Sequence, residues 1–394
     1  MSEQHAEREQ RVTPLELFFD LVFVFGFTQV TTVLSDDPTW SGLGHGLLIL
    51  AALWWAWAAY AWLTNTFDPG EGAMWGAMLV AMSAMFVAAL AVPETFGRHG
   101  VVFGVAFLIV NVMHFTLYAL TARGDPELLA AILRNAPLAL AGAALIIAAG
   151  FVHGGLRPLL WLAALVVGLF GPLLGGVRGW RVQPAHFVER HGLIVIIAIG
   201  ESLIAIGLGA RGTGLGTGVI VTAVLGFVVA TSFWLAYFDF FSIRGRQMLA
   251  DQRGEERIAL ARDVYTYLHL PMVAGIVLFA FAMKTTLAHV GEELDTIPAL
   301  GLCGGPALYL FAYVALRLRV SRTFGRGRLI AAVSCALLLP IALVVPALVA
   351  LTLMTAVWVA LHAYEIIWWR EARARTRALS VPASASDTGG SVQI

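Results

Sequence analysis

The sequence predicts an all-α polytopic membrane protein of about twelve transmembrane helices, arranged as two parallel six-helix repeats. Three observations predict it. Of the 394 residues, 59% are hydrophobic and 13% charged, against roughly 25% charged in soluble domains, and the mean hydropathy is +0.81. Apolar runs of about twenty residues, enough for a helix to cross a hydrocarbon core of about 30 Å, recur along the chain. Basic residues collect on alternate connections between those runs.

The first thirteen residues are charged, and the apolar run from Pro14 has no small-x-small cleavage site. It reads as a retained first helix after a cytoplasmic N-terminus, 1–13. The first six spans fall near 14–34, 41–64, 72–92, 100–121, 135–152 and 157–174. Six more fall near 186–209, 216–238, 264–283, 299–316, 329–344 and 346–369, with Gly, Pro and charged residues between. The stretch 329–369 is interrupted only by Pro340 and Pro346, and its 41 residues suit two spans joined by a turn better than one. With twelve spans, the termini and even-numbered connections hold 20 of the Lys and Arg residues and the opposite connections 4. By the positive-inside rule both termini are expected on the cytoplasmic side. The connection 239–261 reads as a solvated loop apposed to the membrane, and 371–394 as a disordered cytoplasmic tail.

The two halves, 14–174 and 186–369, echo each other. Glu16 precedes Thr28-Gln29 by twelve residues, and Glu189 precedes Glu201-Ser202 by the same distance. Trp57-Ala-Ala-Tyr60 matches Trp234-Leu-Ala-Tyr237, and Tyr118 with Arg123 matches Tyr313 with Arg317 and Arg319. Six is an even number of spans, so both halves insert in the same direction, as in parallel-repeat transporters.

Ionisable groups within a bilayer are costly and usually face a partner, a cavity or a route. Glu201 lies deep in span 7. Arg190 shares its stripe but sits about 16 Å away along the axis, too far to pair with it. In span 1, Glu16 and Asp20 are one turn apart on one face, with Thr28 and Thr31 further along. Span 9 opens Arg262-Asp263-Val-Tyr265-Thr-Tyr267-Leu-His269-Leu-Pro271. Here Arg262 is expected to pair with Asp20 or Glu189, and Pro271 to free a backbone carbonyl. The candidate substrate- or ion-binding set is Glu16, Asp20, Thr28, Glu189, Arg190, Glu201, Ser202, Arg262, Asp263, Tyr265 and His269. Catalytic roles are unassigned.

Other chemistry is not indicated. Net charge is zero, which gives no basic field for nucleic acid. Cys303 and Cys335 lie in separate apolar runs without a metal or redox spacing. No HExxH, GxSxG, P-loop, dinucleotide fingerprint or DDxxD pair is present, so no cofactor and no metal is expected. The partners expected are membrane lipids and a small solute or cation.

Three blocks carry a resemblance: ELFFDLVFVFGFTQV at 16–30, HFVERHGLIVIIAIGESLIAIG at 186–207, and RDVYTYLHLPMVAGIVLFA at 262–280. In these the chain resembles the bacterial low-temperature-requirement A (LtrA) family. The resemblance implies a multi-pass bacterial membrane protein and supplies no substrate or reaction. A fainter likeness, Phe18-Phe19-Asp20 near the start of span 1, is to two-repeat organellar potassium channels; Leu193 stands at the matching place in span 7. The reading that joins these features is a transporter or channel for a cation, proton or small solute, with a polar site built from spans 1, 7 and 9. The alternatives are a membrane-embedded enzyme acting on a lipid or isoprenoid, and a membrane sensor or scaffold.

Overall fold

The first helix starts where its sequence says it should. The Thr13 hydroxyl accepts from the Glu16 amide, the Glu16 carboxylate accepts from the Thr13 amide, and Pro14 fills the first helical position. The computed structural model describes residues 12–66, 73–211, 213–239 and 241–368; most of the expected N-terminal segment and all of the expected tail lie outside them. The first half comprises α1 (Pro14–Asp36), α2 (Trp40–Thr64), α3 (Ala73–Ala91), α4 (Gly100–Thr121), α5 (Pro126–Phe151) and α6 (Leu156–Leu174). The second half comprises α7 (Pro184–Gly209), α8 (Thr217–Phe238), α9 (Phe241–Asp251), α10 (Gly254–Ala261), α11 (His269–Ala288), α12 (Thr296–Ser321), α13 (Arg326–Leu337), α14 (Leu339–Ala342) and α15 (Ala347–Trp368). A π-helical stretch, Arg262–Leu268, joins α10 to α11.

Among the described residues, eleven helical segments are long and apolar enough to cross a membrane. The expected eleventh span is instead made of two shorter helices, α13 and α14. Its ends still lie at opposite ends of α15. Arg328 Nε is 2.6 Å from Glu365 Oε1, near the end of α15. At the other end, Pro346 bridges to Glu293 and the Ala347 amide donates to the Glu292 carbonyl at 2.7 Å. The chain from 326 to 346 therefore passes through the same depth as α15, broken near Pro340. The stretch 239–261 also differs from expectation: it forms α9 and α10, and Leu249, Ile258, Leu260 and Ala261 are buried. These apolar residues give the two short helices a face that docks on the bundle.

Neighbour relations repeat between the halves. α1 packs on α2 and α3, α3 on α4, α4 on α5, α5 on α6, and α6 on α2. With α7 in place of α1, α7 packs on α8 and α11, α11 on α12, α12 on α13, α13 on α15, and α15 on α8. The halves meet where α7 and α11 lie against α1 and α2. α11 is innermost, with every residue from Met272 to Met283 buried. Its contact with α12 depends on absent side chains: a Cβ at Gly275 would lie 2.5 Å from the Gly305 carbonyl oxygen, and one at Gly305 2.6 Å from that of Gly275. Lipid competes with apolar side chains for helix surfaces, so close backbone approach through small residues does much of the association.

Candidate functional site

Three contacts between α1 and α7 share one register. Glu16 meets His186, Asp20 meets Arg190, and Thr31 meets Glu201, each pair 170 positions apart. A constant difference, rather than a constant sum, means that the two helices run parallel. Along this seam the polar groups fall into two clusters.

The first cluster surrounds Arg190, which is 0% exposed. Its Nη2 donates to Asp20 Oδ1 at 2.9 Å, and its Nη1 lies 3.5 Å from Glu16 Oε1. The Trp57 indole N–H donates to the same Asp20 oxygen at 2.9 Å, and the guanidinium sits 5.9 Å from the Trp57 ring centroid. His186 Nε2 lies 3.1 Å from Glu16 Oε1. The Asn65 amide fixes that tautomer. Its oxygen accepts from the Gln183 backbone N–H at 2.6 Å, so its nitrogen faces His186 Nδ1 at 3.1 Å. The ring nitrogen that accepts is thus Nδ1, and Nε2 donates to Glu16.

Two carboxylates share one guanidinium in this cluster, with polar capacity left over. Asp20 Oδ2 and Arg190 Nε and Nη1 are buried without a hydrogen-bond partner. Unmade hydrogen bonds on buried charged groups cost more than about 1–3 kcal/mol each, so Asp20 Oδ2 marks a place for a proton or another donor, and the Arg190 N–H groups a place for an acceptor such as water.

The second cluster is centred on Glu201, 1% exposed and further along the same seam. Thr28 Oγ1 lies 2.6 Å from Glu201 Oε2, and Thr31 Oγ1 2.6 Å from Oε1. Each hydroxyl also reaches a carbonyl of its own helix, Val24 at 3.1 Å and Thr28 at 2.9 Å. A hydroxyl has one proton for these two acceptors. One heavy-atom geometry therefore serves the ionised carboxylate, with both hydroxyls donating to it. It also serves the protonated acid, which donates to one hydroxyl while that hydroxyl turns back to its carbonyl. Ser202 Oγ beside it is buried without a partner, and the chain's one lysine, Lys284, stands on α11. Between the clusters the seam is apolar: Phe23, Phe27, Ile194 and Ala198 are all buried.

The model of the bacterial low temperature requirement A protein (LtrA) family matches residues 11–363. The chain belongs to the LtrA family. It is also 32% identical over 311 residues to an uncharacterized protein, RA0937, of Rhizobium meliloti (strain 1021), an alignment covering 75% of this chain and 74% of that one. No solved structure matches.

In this LtrA chain, Glu16, Asp20, Thr28, Arg190 and Glu201 lie on the α1–α7 seam, as two groups rather than one site, and Ser202 is buried next to Glu201 in the chain with no contact to α1 among the described hydrogen bonds. Glu189 does not join them. It is exposed, since one residue from Arg190 is about 100° round the helix. Arg262 does not pair with Asp20 or Glu189 either. Its Nε and Nη2 bind its own neighbour, Asp263 Oδ1, at 2.9 and 2.8 Å, and Asp263 Oδ2 takes Arg319 at 2.9 Å. Tyr265 and His269 instead flank the first cluster. Tyr265 stacks on His269 with centroids 4.9 Å apart, and both rings lie against His191, which lies edge-on to Trp57. His269 Nδ1 donates to the Val264 carbonyl at 2.8 Å, and Trp54 Nε1 to that of Thr266 at 2.8 Å. The π-helical turn before Pro271 thus gives carbonyls to side chains.

The sequence reading left His186, His191, Trp57 and Asn65 out of the set. A signal existed for His186: it stands four residues before Arg190, as Glu16 stands four before Asp20. Asn65 gave none, because its role is set by a connection 118 positions away.

Proposed function

We propose that this protein is a transporter that carries protons, or a small cation in exchange for protons, along the seam between α1 and α7. The observation that carries the reading is the hydrogen-bond arrangement of Glu201. A buried carboxyl held by two threonine hydroxyls, each with an alternative acceptor, takes up and releases a proton without moving heavy atoms. The Glu16–Asp20–Arg190–His186 cluster supplies the second station, where two acids share one guanidinium and Asp20 Oδ2 is left to take a proton or face a cation. The apolar stretch between them keeps the stations apart, so transfer requires a rearrangement of α1 against α7, as alternating access does. The reading takes 14–174 and 186–369 as two parallel repeats facing each other across this seam. It places both termini in the cytoplasm of a bacterial inner membrane, on the side holding most of the arginines. Unlike the enzyme alternative, it does not need a cavity beside the carboxylates; the cavity next to α2 has none of these carboxylates in its wall. The test is ion and proton flux into proteoliposomes: Glu201→Gln should abolish flux while leaving expression and folding intact, and unchanged flux would sink the reading.

A further inference from the structure

Away from the α1–α7 seam, α2, α4, α5, α6 and the π-helical stretch enclose a cavity of about 100 Å³. Five aromatic rings line it: Trp55 and Trp62 from α2, Phe115 and Tyr118 from α4, and Trp180 from the connection between α6 and α7. Gly168 and Gly171 of α6 also line it, and a Cβ at Gly168 would lie 3.7 Å from Trp55 Nε1.

Two polar side chains in the wall have unfilled capacity although more than nine-tenths buried. Asn135 donates through Nδ2 to the Ala131 carbonyl at 2.9 Å, which leaves Oδ1 as a buried acceptor with no partner. His114 Nδ1 is likewise buried and unpartnered. Leaving such atoms unpaired against hydrocarbon is costly, so an acyl chain is a poor occupant. The indole N–H groups of Trp55 and Trp180 make no hydrogen bond to the described protein. Arg262 is more exposed; Asp263 engages its Nε and Nη2, while Nη1 reaches only the Pro172 carbonyl at 3.5 Å. A guanidinium in the wall disfavours a cationic guest, despite the aromatic cage.

We propose that this cavity binds a small planar aromatic molecule of the phenol class, with its hydroxyl donating to Asn135 Oδ1 and an acceptor or anionic group toward Arg262. The cavity is smaller than the about 150 Å³ that encloses benzene but is not fully enclosed, so a single flat ring whose substituents reach beyond the cavity is the largest guest it suits. The proposal is independent of the transport reading, since no wall residue belongs to either cluster on the seam.

The experiment is calorimetric titration of the full-length protein in lipid nanodiscs with 4-hydroxybenzoate and with benzoate, which lacks the donor. Saturable binding of 4-hydroxybenzoate, about tenfold tighter than benzoate, supports the proposal. Ala139→Phe, which fills the cavity, should abolish binding. Asn135→Leu should bring the two compounds to equal affinity. Equal affinities for the wild type, or binding that survives Ala139→Phe in folded protein, overturns it.

Discussion

Arg190 on α7 and Asp20 on α1 form an ion pair of 2.9 Å in which neither side chain is more than 1% exposed. The pair stands where the two halves of the chain meet, and it has no bulk water to soften its loss. Breaking a buried pair leaves an uncompensated charge, whereas replacing both partners removes the problem. Arg190→Gln should therefore destabilise the protein by about 3–5 kcal/mol. Arg190→Gln with Asp20→Asn should recover part of that, and thermal unfolding in detergent reads the difference. A double variant no better than the sum of the singles would show that the pair does not act as a unit.

The Trp57 indole donates to the Asp20 oxygen that Arg190 also holds. Trp57→Phe keeps most of the ring and removes the N–H. A loss of about 1–2 kcal/mol is expected, again from thermal unfolding. No change in melting would mean that this donor is dispensable to Asp20.

Thr31→Val keeps the shape of the side chain and removes the hydroxyl that reaches Glu201 Oε1 at 2.6 Å. Transport should fall about tenfold with little change in folded yield. Wild-type rates in this variant would separate proton handling by Glu201 from its threonine partners.

The mutual approach of Gly275 and Gly305 leaves no space for a side chain. Gly275→Val meets backbone rather than a movable side chain, so overpacking on the order of 3 kcal/mol follows. Size-exclusion chromatography should show loss of monodisperse protein. Gly291→Ala, at a position with open space around the missing Cβ, is the matched control and should elute like wild type.

Much of this arrangement was legible in the sequence. Helix positions followed from apolar length and from the Gly, Pro and charged residues between the runs. The stripe of Glu16, Asp20 and Thr31, and the separation of Arg190 from Glu201, followed from helical geometry. The partners did not. Phase angles at 100° per residue put Arg262 and His269 on one face, but the i→i+5 winding of Arg262–Leu268 turns each residue less and breaks that relation. Arg262 was left beside Asp263 at the edge of the bundle, and Arg190 took Asp20. The span containing Pro340 kept its traverse but lost its continuity, because a proline removes a backbone hydrogen bond. Asn65, Gln183 and His186 come together only through tertiary folding, which periodicity cannot report.

The most direct test of the central claim is proton and cation flux in proteoliposomes under imposed H⁺, K⁺ and Na⁺ gradients, comparing wild type with Glu201→Gln. Glutamine keeps the shape and can still bond to Thr28 and Thr31, but it cannot take up or release a proton. The account predicts flux in the wild type and none in the variant, with equal melting temperatures. Equal flux in both would contradict it.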